Sequence, residues 1–348
     1  MNQLSWYRRL LQVRLGTLLV IFPLAAGLLA WVASERRESR RQLDVARAFE
    51  KSVPNGYSSH CTFGGPYDKC GVSSQTWWRQ LAEVTLGARV TEIDVSALST
   101  EQLKLIGELP DVVKLTVDVG PDLKVELTPL ARLTKLQSLS ILSAVRIGDL
   151  SPLAGLSRLE TLTLWVDASK DLSPLASLSR LRSLELVCDG PNVDIRGVVI
   201  APLANLSNLR ELWIKGPVFD LTPLAELNRL NKLTLFAIET DDLTPLANLR
   251  RLVYLEITNC PVFDLRPIAK LENLERLELL GTGVVDLSSL QPLARLTRLK
   301  ISSTAISDLS PILGLSNLRE LIVADYSNID AAELEPFSKA LPNCKVVR

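Results

Sequence analysis

The sequence predicts an α/β solenoid, in which short strand-and-turn units stack into a horseshoe with a parallel concave β-sheet. The first observation is a pattern L-x-x-L-x-L that recurs at an interval of 22 residues through most of the 348-residue chain. A fixed interval of this length is typical of a solenoid. The second is that the last two leucines of a copy alternate, as Leu184 and Leu186 do, which indicates a strand with one buried face. The copies begin at Val112, Leu136, Leu159, Leu181, Leu209, Leu230, Leu252, Leu274, Leu296 and Leu318.

The segment before each strand predicts short 3₁₀ or irregular turns on the convex side. Its apolar residues are spaced by three, as in Leu265, Ile268 and Leu271, and residues i and i+3 eclipse in a 3₁₀ helix. A Ser-Pro or Thr-Pro pair begins most of these segments. The hydroxyl can accept hydrogen bonds from the free N–H groups of the first turn. Proline is tolerated there because a backbone N–H at that position would have no partner within the helix. An aspartate two residues earlier is expected to accept backbone N–H groups.

Units of the form D-[LI]-x-P-L-x-x-L resemble the internalin-type leucine-rich repeats of bacterial proteins, over residues 89–348. The resemblance implies a leucine-rich-repeat horseshoe but says little about function, because one fold serves unrelated tasks. Degenerate end repeats are predicted at residues 90–95 and 341–346. One departure is that the Asn or Cys expected two residues after each strand is mostly absent. Cys260 is the exception, and it is expected to be buried.

Residues 15–33 contain no charged side chain and predict a single transmembrane helix preceding the solenoid. A helix of this length spans roughly 28 Å, about the thickness of a bilayer core. Arginines flank the segment on both sides, and Trp6 and Trp31 lie where interfacial aromatic residues are expected. A cleaved signal peptide and a buried soluble helix are the alternatives. We therefore expect a single-pass membrane protein. The distribution of basic residues on the two sides of the segment does not decide which side of the membrane holds the repeats.

The remaining chain divides around these two features. Caps are expected because a solenoid exposes its core at each end. Between Leu181 and Leu209 the interval between copies is longer, which predicts a loop at residues 188–200. The predicted domains are an N-terminal tail at 1–14, the anchor at 15–33, a juxtamembrane helix and Gly/Ser-rich linker at 34–75, an N-terminal cap and first degenerate repeat at 76–110, the repeats at 111–325 and a C-terminal cap at 326–348.

Residues with catalytic or metal-binding chemistry are scarce. His60 is the only histidine, so no Ser-His-Asp or Cys-His combination can form inside the repeats. The sequence contains no glycine-rich phosphate-binding motif. Its 39 basic and 39 acidic residues give no indication of nucleic-acid binding. We therefore expect no enzyme activity, no cofactor and no bound metal.

Cys61 and Cys70 form the one cysteine pair with a local spacing. They flank a Gly-Gly-Pro turn at 64–66, and a disulfide between them would close a short loop in a segment without its own core. Two unpaired thiols are the alternative. A metal site that adds His60 and Asp68 is formally conceivable, but its spacing matches no common zinc pattern.

Large apolar residues also occupy strand positions between the leucines, which point away from the core onto the concave sheet. They lie on neighbouring repeats about 4.8 Å apart, and exposed apolar clusters commonly mark interaction sites. The alternative is that another segment of the same chain covers them. We predict that this patch is the partner-binding site: Trp165, Val187, Trp213, Phe236 and Tyr254.

These features together predict a membrane-anchored leucine-rich-repeat binding module that captures a protein or peptide on its concave face. The alternative is a non-catalytic scaffold or regulatory component of a membrane complex, in which the anchor matters more than the surface. An enzyme is a distant alternative, because the repeats lack catalytic combinations of residues.

Overall fold

The computed structural model of the chain describes residues 30, 32–45, 48, 59–64, 89–96, 100–118, 126–142, 147–188, 197–323, 329 and 331–347. Within these residues, thirteen strands form one sheet whose order follows the chain. The strands are β1 Ser59–Gly64, β2 Arg89–Ser96, β3 Lys114–Asp118, β4 Ser138–Leu142, β5 Thr161–Val166, β6 Ser183–Cys188, β7 Glu211–Lys215, β8 Lys232–Phe236, β9 Tyr254–Thr258, β10 Arg276–Leu280, β11 Arg298–Ser302, β12 Glu320–Val323 and β13 Lys345–Val347.

Helices and short 3₁₀ turns flank the sheet. Residues 32–45 are helical and are named α1 here; α2 spans Thr100–Ile106 and α3 spans Ala331–Ala340. The 3₁₀ turns are Thr128–Arg132, Ser151–Gly155, Ser173–Ser177, Ala201–Asn205, Thr222–Glu226, Thr244–Asn248, Arg266–Lys270, Ser288–Leu290 and Ser310–Ile312.

The parallel strands pair in register, which aligns equivalent residues of successive repeats, or rungs. Leu233 in β8 pairs with Leu255 in β9, and Leu255 pairs with Leu277 in β10. All three side chains are fully buried. Because side chains alternate along a strand, the leucines stack into one continuous core and the residues between them face the other side of the sheet. The predicted solenoid with a parallel sheet and short 3₁₀ turns is confirmed.

Aspartates stabilise the turns as predicted, and they replace the expected hydroxyl caps. Each carboxylate accepts a hydrogen bond at 2.7–3.0 Å from the backbone N–H two residues later, as Asp171 does from Ser173. The N-cap position of that turn is Leu172, whose side chain makes no capping hydrogen bond. The carboxylates line one edge of the solenoid, the turn edge, where each strand leads into the next 3₁₀ turn. This aspartate column comprises Asp149, Asp171, Asp220, Asp242, Asp264, Asp286 and Asp308.

At the N-terminal end of the sheet, β1 pairs antiparallel with β2, and Cys61 lies opposite Ile93. The Gly/Ser-rich linker predicted within residues 34–75 contains a strand at Ser59–Gly64. The edge of a parallel sheet presents unpaired N–H and C=O groups, and β1 satisfies those of β2. Residues 76–88 of the predicted N-terminal cap and most of the loop at 188–200 lie outside the described residues.

α1 docks against the first rungs through a buried polar contact. Gln42 is only 1% exposed, and its side-chain N–H donates to Asp111 Oδ2 at 2.6 Å. Lys135, one rung further on, reaches the other oxygen of Asp111 at 2.5 Å. Beside this pair, the carboxylate of Glu108 bridges Arg41 at 2.7 Å and Arg132 at 2.5 Å. The segment predicted to follow the membrane anchor is therefore fixed to the solenoid.

The far end of the solenoid is closed by β13 and α3. β13 pairs parallel with β12, so that the degenerate repeat predicted at residues 341–346 continues the sheet. Phe337 of α3 is fully buried against the last rungs. These contacts cover the apolar core that the final repeat would otherwise expose.

The predicted membrane anchor at 15–33 lies almost wholly outside the described residues. Among the residues that are described, no helix combines the length and the apolar composition needed to cross a bilayer. The anchor therefore remains a prediction from the sequence.

Candidate partner-binding face

The concave face is built from the strand residues that lie between the buried leucines. In β8, Leu233 and Leu235 point into the core, and Lys232 and Phe236 consequently face the opposite side. The same alternation in every parallel strand creates columns of side chains that cross the sheet with a spacing of about 4.8 Å. The identity of the residues in these columns determines what the face can bind.

An aromatic pair with an adjacent lysine lies on β7 and β8. The rings of Trp213 and Phe236 have their centroids 6.5 Å apart at an interplanar angle of 31°. Lys215, which pairs with Phe236 in the sheet, places its ammonium group 5.8 Å from the centre of the Phe236 ring. A cation over an aromatic face is held by the ring quadrupole. Both rings are half-buried, so each keeps some apolar surface in contact with solvent.

A second lysine–aromatic contact follows on the next strand. Lys232 lies 5.4 Å from the ring centre of Tyr254. The Tyr254 hydroxyl donates to Glu256 Oε2 at 2.8 Å, Thr258 donates to Oε1 at 3.1 Å, and Thr234 donates to Oε2 at 3.4 Å. Burial and the hydrogen bond to Glu256 raise the pKa of Tyr254, so the phenol keeps the proton that it donates. Three hydroxyl groups therefore hold the Glu256 carboxylate in one orientation.

We refer to Trp213, Lys215, Lys232, Phe236, Tyr254 and Glu256 together as the aromatic–lysine cluster. Beside it lies a shallow recess of about 250 Å³ between β6 and β8. Thr234, only 2% exposed, contributes to the lining of this recess. The other polar and aromatic groups around the recess are Ser183, Glu185, Glu211, Trp213 and Lys232. The recess is therefore suited to a single polar or amphipathic side chain of a partner.

The five predicted binding residues do not form one continuous patch. Trp213, Phe236 and Tyr254 belong to the aromatic–lysine cluster. Trp165 is 37% exposed and shares a column with Phe236, but two strands lie between them. Three strand spacings separate the two rings by roughly 14 Å. Trp165 is thus a second, isolated contact point on the same face.

Val187 differs from the prediction because it is almost completely buried. Only 3% of the residue is exposed. It lies between Trp165 on β5 and Lys215 on β7 in the register of the sheet, and both of these side chains are much longer than valine. Val187 therefore supports its neighbours and presents very little surface to a partner.

Sequence reasoning missed the role of Glu256. Glu256 is absent from the predicted binding residues, although Tyr254, Glu256 and Thr258 alternate along one strand and therefore share a face. That alternation was the available signal, and it is visible in the sequence. The three hydroxyl groups therefore hold this carboxylate as a preorganised hydrogen-bond acceptor.

Cys260 and Cys344 do not form a reactive thiol site. Cys260 and Cys344 form no disulfide with any described residue. Cys260 is buried as predicted, and its thiol lies 3.1 Å from the carbonyl oxygen of Thr258. Burial raises the pKa of this thiol, which disfavours the reactive thiolate. Cys70 lies outside the described residues, so the Cys61–Cys70 disulfide stays a prediction.

Metal ligands do not come together in the described ranges either. No group of three or more His, Cys, Asp or Glu side chains there is arranged to hold a metal ion. The concave face offers aromatic rings, ammonium groups and hydrogen-bonded carboxylates.

Comparison with known proteins agrees with this architecture. No family model and no curated protein sequence matches the chain. Among solved structures, an internalin (inlF) from Listeria monocytogenes is 26% identical with a TM-score of 0.56, covering 77% of this chain and 85% of that one. The mouse RP105/MD-1 complex is 21% identical with a TM-score of 0.56, covering 72% and 45%. The Arabidopsis receptor kinase HAESA ectodomain, in complex with an IDA peptide hormone, is 15% identical with a TM-score of 0.50, covering 82% and 50%.

The last two similarities are too distant in sequence to show more than the fold. The chain adopts a leucine-rich-repeat fold, and its likeness to the Listeria internalin supports a bacterial protein of this kind.

Proposed function

We propose that this protein is a membrane-anchored binding module that captures a protein or peptide on its concave face and performs no catalysis. The observation that carries the proposal is the aromatic–lysine cluster. Trp and Tyr are over-represented among residues that dominate interface energy, particularly where they are central and already well packed. The contacts of Lys215 and Lys232 with aromatic rings restrict these side chains before a partner arrives, which lowers the entropy cost of binding.

The chemistry of the cluster defines the kind of segment that it fits. The Trp213 and Phe236 rings can bury an apolar side chain. The ammonium groups of Lys215, over Phe236, and of Lys232, over Tyr254, could bind a carboxylate. On the other side, Glu256 is held as an acceptor for an N–H group or a cation. We therefore expect a partner segment that combines an aromatic or aliphatic side chain with flanking charges of both signs.

Two proteins of the same fold support the proposal. The Arabidopsis HAESA ectodomain was solved with a peptide hormone, and mouse RP105 was solved with MD-1. Both therefore use this fold in complexes with a peptide or a protein. Their similarity to this chain concerns the fold alone, so the residues that bind here rest on the geometry of the cluster.

The membrane part of the proposal rests on residues 15–33 and on α1. An uncharged helix of this length matches a bilayer core, and α1 begins where that segment ends and is fixed to the first rungs through Gln42 and Asp111. The solenoid would then be held close to the membrane at a defined angle. Carbonate extraction tests the anchor: we expect the full-length chain to stay in the membrane pellet, and its release into the supernatant would refute the anchor.

The alternative function is a non-catalytic scaffold or regulatory component of a membrane complex. The docking of α1 favours the scaffold, because a scaffold must hold its solenoid in a fixed position relative to the predicted anchor. The two functions differ in their dependence on the aromatic–lysine cluster. A scaffold would lose its activity on disruption of the Gln42–Asp111 contact and keep it when the cluster is removed.

The deciding experiment is capture of partners from native membranes by the full-length protein, followed by substitution of the cluster. Combined Trp213→Ala and Phe236→Ala changes should weaken binding of the captured partner by roughly 30-fold or more, because central aromatic residues commonly contribute 2 kcal/mol or more. Trp165→Ala should have a smaller effect, since that residue is isolated. Arg180→Ala, at an exposed turn position outside the sheet, is the control and should bind like the wild type. Undiminished capture by the Trp213/Phe236 double variant would show that the cluster is not the site.

A further inference from the structure

Most of the large apolar side chains that the solenoid exposes do not lie on the concave face. In the described part of the chain, five such residues are exposed, and Trp165 alone belongs to the sheet. The other four are Val199 (65% exposed), Phe219 (46%), Phe263 (61%) and Val285 (58%). Each lies two or three residues before the start of a 3₁₀ turn, so all four occupy the turn edge. We call these four residues the apolar ridge.

The ridge extends over neighbouring rungs. Its residues precede the turns that begin at Ala201, Thr222, Arg266 and Ser288, and one intervening turn, at Thr244, carries Asp241 at the equivalent position. Five consecutive rungs span roughly 19 Å at a spacing of about 4.8 Å. The ridge is therefore a line of apolar groups along the solenoid, and it is long enough to contact several turns of a helix.

Glycines fix the two rings of the ridge in place. A Cβ atom added to Gly197 would lie 2.3 Å from the Phe219 ring, and one added to Gly283 would lie 2.2 Å from the Phe263 ring. Each ring therefore packs directly on the backbone of a neighbouring rung, at a distance that any other residue would prevent. Phe219 and Phe263 nevertheless remain 46% and 61% exposed. Rings held in this way lose little freedom on binding.

A groove continues the ridge beyond Val199. It encloses about 680 Å³ beside the turns Ser173–Ser177 and Ala201–Asn205, close to the point where the interval between repeats lengthens. Clefts of this size accommodate several side chains of a ligand. The residues that give it its character are Ala168, Lys170, Ala176, Val199, Pro202 and Asn205.

The aspartate column gives this edge its charge. Asp220, Asp264 and Asp286 directly follow Phe219, Phe263 and Val285 in the chain. Hydrogen bonds from the neighbouring hydroxyl and backbone N–H groups lower the pKa of Asp220 and Asp286, and the Arg266 side chain does the same for Asp264. All three are therefore ionised at neutral pH. Arg266 pairs with Asp264 at 2.8 Å, and the line of carboxylates otherwise leaves the edge acidic next to its apolar side chains.

We infer that the apolar ridge binds an amphipathic, basic α-helix of another protein. Charge complementarity requires lysine or arginine beside the partner's apolar residues. The same charge argues against an anionic bilayer and against a second copy of this chain, because a two-fold dimer through this edge would place the two aspartate columns together. A helix rises 5.4 Å per turn, which nearly matches one rung, so each turn can present one apolar residue to the ridge. This inference does not depend on the function proposed for the concave face.

The test uses the full-length protein and a synthetic 18-residue helix of leucine on one face and lysine on the other, which is about 27 Å long. Fluorescence anisotropy should show saturable binding to the wild type. Phe263→Ser combined with Val285→Ser should weaken it at least tenfold without lowering the melting temperature, because both side chains are already more than half exposed. The matched control is Trp213→Ala on the concave face, which should bind the helix unchanged. Absence of saturable binding, or equal binding by the ridge variant, overturns the inference.

Two further arms test the charge and the class of partner. The double variant Asp242→Asn with Asp286→Asn keeps a hydrogen-bond acceptor in each turn but removes two negative charges. We expect this variant to bind the helix several-fold more weakly, with an affinity that depends less on salt concentration. A helix with every lysine replaced by glutamate should not bind, and equal binding of that helix overturns the charge argument. Vesicles of phosphatidylglycerol should not recruit the protein through the ridge. Recruitment that Phe263→Ser with Val285→Ser abolishes would assign the ridge to a lipid surface instead.

Discussion

The concave face and the turn edge both carry large apolar side chains, but only the turn edge leaves most of them exposed. On the sheet, adjacent strands are about 4.8 Å apart, so a side chain there is flanked on both sides: Val187 is 3% exposed and Thr234 is 2% exposed. On the turn edge, Phe263 and Val285 remain 61% and 58% exposed. A position between two core leucines therefore predicts which face of the sheet a side chain lies on. It does not predict how exposed that side chain is, because exposure depends on the size of the side chains on the two adjacent strands.

The largest effect should distinguish the core beneath both regions from the turn edge. Leu233→Ala removes a fully buried side chain and should lower the free energy of unfolding by about 2–5 kcal/mol. Phe263→Ala removes a larger side chain from the edge, where it is 61% exposed, and should cost less than about 0.5 kcal/mol. Denaturant melts of the full-length protein measure both. Equal losses would mean that the ridge is part of the core.

The next effect concerns the strand ends, where the sheet passes into the turn edge. Ala237, Asn259, Gly281 and Ser303 occupy equivalent positions with φ of 49–59°, in the left-handed region that favours glycine. Gly281→Ala should destabilise the fold by about 1–2 kcal/mol or more, since its Cβ would also lie 2.4 Å from Asn259 Oδ1.

The reverse substitution is the matched control for that prediction. Ala237→Gly should stabilise the fold by up to about 1 kcal/mol, because glycine relieves the left-handed strain at that position. Melting curves of the two variants should shift in opposite directions. A shift in the same direction would contradict the account of the strand ends.

A smaller effect should separate satisfied from unsatisfied hydroxyl groups. Thr258 on the concave face donates to Glu256 at 3.1 Å, whereas the buried hydroxyl of Thr282 has no hydrogen-bond partner among the described residues. Thr258→Val should therefore cost about 0.5–1.5 kcal/mol, and Thr282→Val should be neutral or stabilising. Thermal melts of both variants test this pair, and destabilisation by Thr282→Val would reveal a partner for its hydroxyl.

The smallest effect is the pH dependence that the aspartate column gives to stability. Hydrogen bonds from Thr244, from its hydroxyl and then its backbone N–H, lower the pKa of Asp242. A carboxylate whose pKa is lower in the folded state stabilises the fold above its unfolded pKa, near 3.9, and loses that contribution as pH falls through the folded value. Asp242→Asn should therefore flatten the loss of stability below about pH 4 in denaturant melts. Asp241→Asn corrects for the change in net charge, and an unchanged profile in Asp242→Asn would contradict this role.

The sequence was sufficient for the fold because the period of the leucines sets both the strand register and the core. It was insufficient for β1, whose pairing with β2 depends on an open sheet edge and on no apolar pattern of its own. The sequence also did not reveal the apolar ridge. Phe219 and Phe263 each precede an aspartate of the repeat, and the structural role of that aspartate accounted for the segment. The available signal was a comparison of the residues three positions before each 3₁₀ turn. Lys170, Asp241 and Ser307 are polar there, whereas the equivalent residues Phe219, Phe263 and Val285 are apolar.

The central claim, that the concave face captures the partner, is tested most directly by hydroxyl-radical footprinting of the full-length protein with and without its captured partner. This measurement reports the solvent exposure of individual aromatic side chains. We predict that Trp213, Phe236 and Tyr254 become protected in the complex, while Phe219 and Phe263 keep the reactivity that they have in the free protein. Protection of Phe219 and Phe263 with unchanged reactivity of Trp213, Phe236 and Tyr254 would contradict the claim and place the partner on the turn edge.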